Sequence, residues 1–97
     1  GDIVIDATCG NGHDTCFLAE LVGTKGTVYA FDIQEQAVKN TYKRLSSKGL
    51  GNRVILINDT HENIRYYIDN KKVSAILFNL GYLPNFAWPF QALNVQW

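Results

Sequence analysis

The amino-acid sequence predicts one small α/β domain, a doubly wound fold in which parallel strands alternate with helices. Short β-branched apolar runs alternate with segments of helical period, and each of the four runs is followed by Asp or Asn. The last run, residues 73–78, is continuously apolar apart from Ser74, which is typical of a strand buried on both faces. With 97 residues the chain can build a single modest core. The predicted order is therefore βαβαβαβ with right-handed crossovers.

The first βαβ unit is predicted over residues 3–31. A first strand covers residues 3–5 and ends at Asp6, and Gly10 and Gly12 then predict a turn. A helix is expected over about 13–22, followed by a loop and a second strand over 27–31. The helical spacing assigns to one apolar face the residues Phe17, Leu18, Leu21 and Val22.

The rest of the pattern repeats this alternation. A helix is predicted over about 34–48 with the stripe Ala37, Val38, Thr41, Tyr42 and Leu45, and with Gly49 and Leu50 as its C-terminal stop. Strands are predicted over 53–57 and 73–78. Asp59 with Glu62 indicates the start of a short helix between them. Its inward residues are expected to be Ile64, Tyr67 and Ile68.

Composition and charge limit the function. Nine basic and nine acidic residues give a formal net charge of zero, which removes the simplest argument for a nucleic-acid or membrane-surface protein. On the second helix, Lys39, Lys43, Arg44 and Lys48 favour a solvated face over an RNA platform. Cys9 and Cys16 have no metal or disulfide spacing, so we expect free thiols, no metal site and a reducing cytoplasm. Residues 73–97 carry no charge, but prolines and amides interrupt them well short of a membrane span.

Two features indicate part of a larger domain. The chain begins at Gly1 and contains no Met, and nothing is predicted to cover the outer edge of the fourth strand. We therefore expect the first half of a doubly wound domain over residues 1–84 and an atypical tail over 85–97. The aromatic residues from Tyr82 onward are expected to pack poorly or to fold back over that edge. They are Tyr82, Phe86, Trp88, Phe90 and Trp97.

The predicted sheet brings four polar segments together at the carboxyl ends of its strands, where open parallel sheets bind ligands. Asp32 follows Gly12 by twenty residues, the spacing at which an acid binds ribose hydroxyls. Thr15 replaces the third glycine of a dinucleotide turn, and Asp6 and Asp14 would repel a pyrophosphate. A cationic cofactor, S-adenosylmethionine, therefore fits better than NAD, although half of an NAD-dependent dehydrogenase stays as an alternative.

The strand-end segments resemble a known family. Residues 6–15 (DATCGNGHDT), 31–34 (FDIQ), 61–63 (HEN) and 78–84 (FNLGYLP) look like the small bacterial rRNA methylase family, which includes the tRNA 5-aminomethyl-2-thiouridine methyltransferase. The resemblance runs from Gly1 to about Pro84. It implies a Rossmann-like class I methyltransferase fold, S-adenosylmethionine as cofactor and N-methylation of a tRNA or rRNA nucleoside. A catalytically inactive cofactor-binding fragment is the alternative.

The resemblance also assigns roles to residues. Asn79 would orient the attacking nitrogen and Tyr82 would fix the plane of the base, although Leu80-Gly81 replaces the usual prolines between them. Asp32 would hold the ribose hydroxyls. The full cofactor set is expected to be Asp6, Thr8, Gly10, Asn11, Gly12, His13, Asp14, Thr15, Asp32, Ile33, Gln34, Asp59 and His61.

Overall fold

The computed structural model describes residues 1–69, 71–79 and 90–93, with five strands and three α-helices in that part of the chain. The strands are β1 Ile3–Asp6, β2 Thr27–Phe31, β3 Val54–Ile57, β4 Ala75–Asn79 and β5 Phe90–Leu93. The helices are α1 His13–Val22, α2 Glu35–Ser47 and α3 Ile64–Ile68. Short 3₁₀ turns precede β3 at Gly51–Arg53 and α3 at His61–Asn63.

The strands form one sheet in the order β3-β2-β1-β4-β5. The first four are parallel, as predicted: Ile5 pairs with Tyr29 and with Ile76. The order reverses beside β1, because the chain first builds outward to β3 and then crosses back to β4. Ligand sites of open parallel sheets lie at such a point, beyond the carboxyl ends of the strands.

The two faces of the sheet bury separate apolar clusters. On one face, Leu18 and Ala19 of α1 and Leu45 of α2 pack against Val4 and Val28. The opposite face carries a cluster in which Ile64 and Ile68 of α3 join strand side chains, among them Ile5, Phe31 and Ile76. Each fully buried Leu, Ile or Phe contributes about 1.5–3 kcal/mol relative to an exposed one. Burial on both faces explains why the strands are apolar at successive positions.

Of the two predicted helix ends, the C-terminal stop of α2 is confirmed and the N-terminal cap before α3 is wrong. Gly49 has φ 70° and its N–H donates to Ser46 O, while Leu50 N donates to Leu45 O at 2.9 Å. This pair of bonds is a Schellman motif, so the predicted stop of α2 is confirmed. The capping prediction for Asp59 is wrong. The Thr60 hydroxyl accepts from Glu62 N and caps the 3₁₀ turn, because the carboxylate of Asp59 is held by other donors.

Three apolar side chains predicted to face inward are exposed. Phe17 and Leu21 of α1 are 54% and 68% exposed, and Tyr42 of α2 is 62% exposed. The buried side of α1 instead passes through small residues, Thr15, Cys16 and Ala19, with Leu18 beside them. Small side chains let the helix lie close to the sheet, so the helix is rotated relative to the face that hydrophobicity alone predicts. Tyr67 of α3 is also partly exposed.

The fifth strand lies in the segment predicted to be a tail. Phe90–Leu93 pairs antiparallel with β4, and the register joins Asn79 to Phe90 and Ile76 to Leu93. This part of the segment therefore folds back along the edge of β4, one of the two expected outcomes. Tyr82, Phe86, Trp88 and Trp97 lie outside the described residues, and the boundary at residue 84 stays a prediction.

Cys9 and Cys16 are buried free thiols, as predicted. Burial raises the pKa of the Cys9 thiol to about 11. No helix in the described part is both long and apolar enough to cross a bilayer. The described residues also contain no His, Cys, Asp or Glu cluster of the kind that holds a metal ion.

Candidate functional site

The glycine-rich turn, residues 6–12, connects β1 to α1 and is held by backbone bonds. Cys9 N donates to Phe31 O and Gly12 N donates to Cys9 O, both at 2.8 Å. Gly10 and Gly12 have φ of 54° and 89°, a region that side chains rarely adopt. A Cβ on Gly12 would also lie 2.9 Å from Thr41 Cα. The turn therefore requires glycine at position 12 for both conformation and packing.

Asp32 follows β2 and faces this turn. Its Oδ2 accepts from Gly10 N at 3.0 Å, and its Oδ1 accepts from Gln34 N at 2.9 Å. The residue is 8% exposed. A carboxylate has about four acceptor sites, so two are left for a ligand. Asn58 Nδ2 donates to the carbonyls of Asp32 and Ile33, which fixes the backbone that carries the carboxylate.

Asp6 is the buried acid of the turn. It is fully buried; one carboxylate oxygen accepts from the Thr15 hydroxyl at 2.6 Å and the other from Thr8 N at 3.3 Å. Burial raises its pKa to about 7, and the charges of Asp14 and Asp32 add to the increase. Asp6 therefore joins the turn to α1 from inside, whereas Asp32 reaches the surface.

A cleft opens at the carboxyl ends of β1, β2 and β3, and we call it the strand-end cleft. Its volume is about 190 Å³. Its lining residues are Ala7, Thr8, Asp32, Ile33, Asp59, Thr60 and His61. Five of the predicted cofactor residues meet here, from three different strand ends. Ile33 is 72% exposed, which is unusual for a large aliphatic side chain. It therefore presents an apolar surface beside the Asp32 carboxylate.

Asp59 and His61 form the far wall of the strand-end cleft. The carboxylate of Asp59 accepts from Tyr67 OH at 2.7 Å and from Asn63 Nδ2 at 3.0 Å. The Tyr67 hydrogen bond is the main reason that the pKa of Asp59 is lowered, and the same bond raises the pKa of Tyr67. The His61 ring packs edge-on against Phe78, with ring centroids 5.4 Å apart. This wall is thus ordered by contacts with α3 and β4.

The other predicted cofactor residues lie around the cleft and do not line it. The turn itself contains Asp6, Gly10 and Gly12, and Thr15 of α1 bonds Asp6 from the adjoining helix. Gln34 donates its backbone N–H to Asp32. Asn11 points to α2, where its side chain accepts from Asn40 Nδ2 at 3.2 Å. His13 is exposed and Asp14 is buried in the first turn of α1. Their roles toward a ligand stay predictions.

The two predicted catalytic residues are only partly within the described chain. The backbone of Asn79 ends β4, next to β1 in the sheet and at the same edge as the cleft. Tyr82 lies outside the described residues. Their catalytic roles therefore stay predictions.

The sequence placed Asn58 at a strand end but predicted no role for it or for Thr41, and both hold the site. Asn58 fixes the backbone after Asp32, and its position directly after the third strand was the available signal. Thr41 donates from its hydroxyl to Gly10 O at 3.0 Å, across 31 residues of sequence. No local pattern distinguishes that threonine from any other polar residue on a helix.

Comparisons with known proteins agree with this geometry. The family model described as "Putative rRNA methylase" matches residues 28–87. The "tRNA (mnm(5)s(2)U34)-methyltransferase, chloroplastic" of Arabidopsis thaliana is 42% identical over 94 residues, which include 87% of this chain and 34% of that protein. The chain thus spans about a third of the length of this curated relative.

Two solved structures are similar over most of the chain. A "putative rRNA-methylase" from Clostridium thermocellum has a TM-score of 0.75 at 55% identity, over 77% of this chain and 41% of that chain. A "putative methyltransferase" from Streptococcus mutans in complex with SAH has a TM-score of 0.73 at 40% identity, over 99% of this chain and 49% of that chain. The likeness therefore includes the turn, the strand ends and the helices around them.

Proposed function

Because the chain belongs to the rRNA methylase family, within the class I methyltransferase fold, we propose that it binds S-adenosylmethionine and serves N-methylation of an RNA nucleoside. The observation that carries this proposal is the Asp32 carboxylate in the strand-end cleft. The RNA substrate is proposed from the relatives, whose names are those of rRNA and tRNA methyltransferases.

The chemistry of the strand-end cleft fits the nucleoside part of the cofactor. Two vicinal ribose hydroxyls are donors, and Asp32 has acceptor capacity left after bonding Gly10 and Gln34. Ile33 offers an exposed apolar surface on which an adenine ring would pack. Asp59 and His61 would border the same ring from the opposite wall.

The charges around the turn favour a cation over a pyrophosphate. Three acids lie close together here, since the charges of Asp14 and Asp32 both raise the pKa of Asp6. Asp14 lies in the first turn of α1, where a pyrophosphate would need an uncharged helix start. Thr15, at the place of a third glycine, is fully buried and bonds Asp6. These contacts support S-adenosylmethionine over NAD.

The chain's part in the reaction is positioning. The bound cofactor supplies an electrophilic methyl group on a sulfonium. The residues of the chain hold the nucleoside, through Asp32, and aim an RNA nitrogen at that methyl group, through Asn79 and Tyr82. Holding two reactants in line is the main source of acceleration for such a transfer. We place the reaction in the cytoplasm, since a reducing compartment suits the two free thiols.

Two titrations and one transfer assay test the proposal. Calorimetry should show binding of S-adenosylmethionine and none of NADH; the reverse would favour a dehydrogenase half. Incubation with tRNA or rRNA and methyl-labelled cofactor should then give a nucleoside whose added methyl is on nitrogen by mass spectrometry. Cofactor binding without transfer to either RNA would identify a cofactor-binding chain and contradict the catalytic part of the proposal.

A further inference from the structure

A second concave site lies where the glycine-rich turn meets α2, outside the strand-end cleft. Its volume is about 410 Å³. The residues that line it, which we call the basic pocket, are Asn11, Asn40, Lys43, Arg44 and Ser47. None of them lines the strand-end cleft.

Hydrogen bonds in and beside the basic pocket engage four of its oxygens as acceptors. Arg44 Nε donates to Asn11 O at 2.8 Å, and Asn40 Nδ2 donates to Asn11 Oδ1 at 3.2 Å. Gln36 Nε2 donates to Asn40 Oδ1 and Ser47 Oγ donates to Arg44 O. The donor groups that these bonds leave over are the Arg44 terminal amino groups, the Lys43 ammonium and the Asn11 amide N–H. Two cationic donors with no carboxylate in the lining favour an anion.

The formal charge of the basic pocket points the same way. Lys43 and Arg44 line it, and no carboxylate does. The acid at the start of α2, Glu35, forms an ion pair with Lys39 at 2.9 Å. On α2, Lys39 is therefore paired with an acid, whereas Lys43 and Arg44 line the basic pocket and Arg44 also bonds the turn. A guanidinium held through Nε presents its remaining fork to two oxygens of a phosphate, while an ammonium acts as a point charge.

The position of the basic pocket connects it to the strand-end cleft. Asn11 lies between Gly10, whose N–H bonds the Asp32 carboxylate of the cleft, and Gly12. One turn thus separates the two sites. The RNA base would approach the methyl group at Asn79, which ends β4 at the same edge of the sheet as the turn. Phosphate contacts beside that edge would fix the register of the RNA.

We propose that the basic pocket binds a backbone phosphate of the RNA substrate, through Lys43 and Arg44. This inference rests on the proposed function, since it names where that substrate is held. It assigns to α2 a role in RNA positioning that its sequence did not indicate.

The test is the salt dependence of RNA binding. Fluorescence anisotropy would measure the affinity of the full chain, saturated with S-adenosylhomocysteine, for a labelled RNA stem–loop from about 50 to about 300 mM KCl. Lys43→Gln should reduce the slope of log affinity against log salt by about 1. Since the lines converge near 1 M salt, the loss at 0.1 M is roughly tenfold. The matched control is Lys25→Gln, an exposed lysine in the loop between α1 and β2, and it should leave the slope unchanged.

The outcomes separate this inference from the proposed function. Equal slopes for the wild-type chain and Lys43→Gln, or equal reductions in both variants, would overturn the basic pocket. So would a wild-type chain that binds S-adenosylmethionine but not RNA. A chain that binds RNA with a Lys43-dependent slope but ignores S-adenosylmethionine would instead contradict the proposed function. Circular dichroism and calorimetry with S-adenosylmethionine check that Lys43→Gln keeps its fold and its cofactor cleft.

Discussion

Asp6 and Asp32 show how two carboxylates that contact the same turn acquire different properties. Asp32 keeps contact with the strand-end cleft and accepts two backbone N–H bonds, both from residues beside the cleft. Asp6 is enclosed, and the loss of hydration raises its pKa to about 7. The sequence placed both acids at strand ends, but it could not distinguish them, because burial depends on α1 closing over Asp6 through Thr15.

The raised pKa of Asp6 predicts a pH dependence of stability. Between about pH 4 and about pH 7 the folded chain holds this proton more tightly than the unfolded chain does, so the free energy of unfolding falls as the pH rises through that window. Asp6→Asn removes the titration. The difference in unfolding free energy between wild type and Asp6→Asn should therefore shift against the wild type by roughly 1–3 kcal/mol from about pH 5 to about pH 8. Urea denaturation at both pH values measures it, and a pH-independent difference would contradict the assignment.

The glycine-rich turn and α2 form one structural unit. Thr41 donates to Gly10 O, and Gly12 approaches the backbone of α2 so closely that a Cβ has no room. The order of strands and helices was predictable from the sequence. The contact between the turn and α2 was not, because it joins residues that are distant in sequence. Alternation, turn glycines and the Gly49 stop are local signals, and they located α1 and β2 with the observed bounds. The faces of α1 and α2 depend on neighbours distant in sequence, so the predictions for Phe17 and Tyr42 failed.

Gly12→Ala tests this unit. The variant combines a strained φ with a contact of 2.9 Å to the Thr41 backbone, and it should lower the free energy of unfolding by roughly 1–3 kcal/mol or more. Gly51→Ala is the matched control, since nothing lies within 4 Å of a Cβ there. Urea unfolding of both variants measures the difference. Equal stabilities would show that the turn does not depend on glycine at position 12.

In the described part of the chain, β5 forms one edge of the sheet, and the family resemblance did not predict this strand. The parallel half, its crossovers and the strand-end site follow from alternation and from the polar residues after each strand. The pairing of β5 with β4 does not, because residues 85–97 match no motif and strand pairing is a long-range property. Backbone pairing along β4 protects an edge that would otherwise present unpaired N–H and C=O groups.

Gln91→Pro tests the role of β5. The Leu77 carbonyl accepts from Ala7 N beside β1, so the neighbouring pair, Phe78 with Gln91, is the one that exchanges backbone hydrogen bonds across β4 and β5. Proline at position 91 removes the N–H of that pair. The variant should associate at lower concentrations than the wild type in sedimentation velocity, because the edge of β4 becomes available. Gln91→Val keeps the backbone donor and should behave as the wild type. Identical sedimentation of all three chains would show that β5 does not protect this edge.

The proposed function requires that S-adenosylmethionine binds in the strand-end cleft at Asp32, and calorimetry with S-adenosylmethionine tests it. The wild-type chain should bind, and Asp32→Ala should weaken binding by at least about tenfold, since it removes a charged acceptor for two ribose hydroxyls. Glu20→Ala, an exposed acid of α1, is the matched control and should bind as the wild type does. Equal affinities for Asp32→Ala and wild type, with both chains folded, would show that the cofactor does not use this cleft.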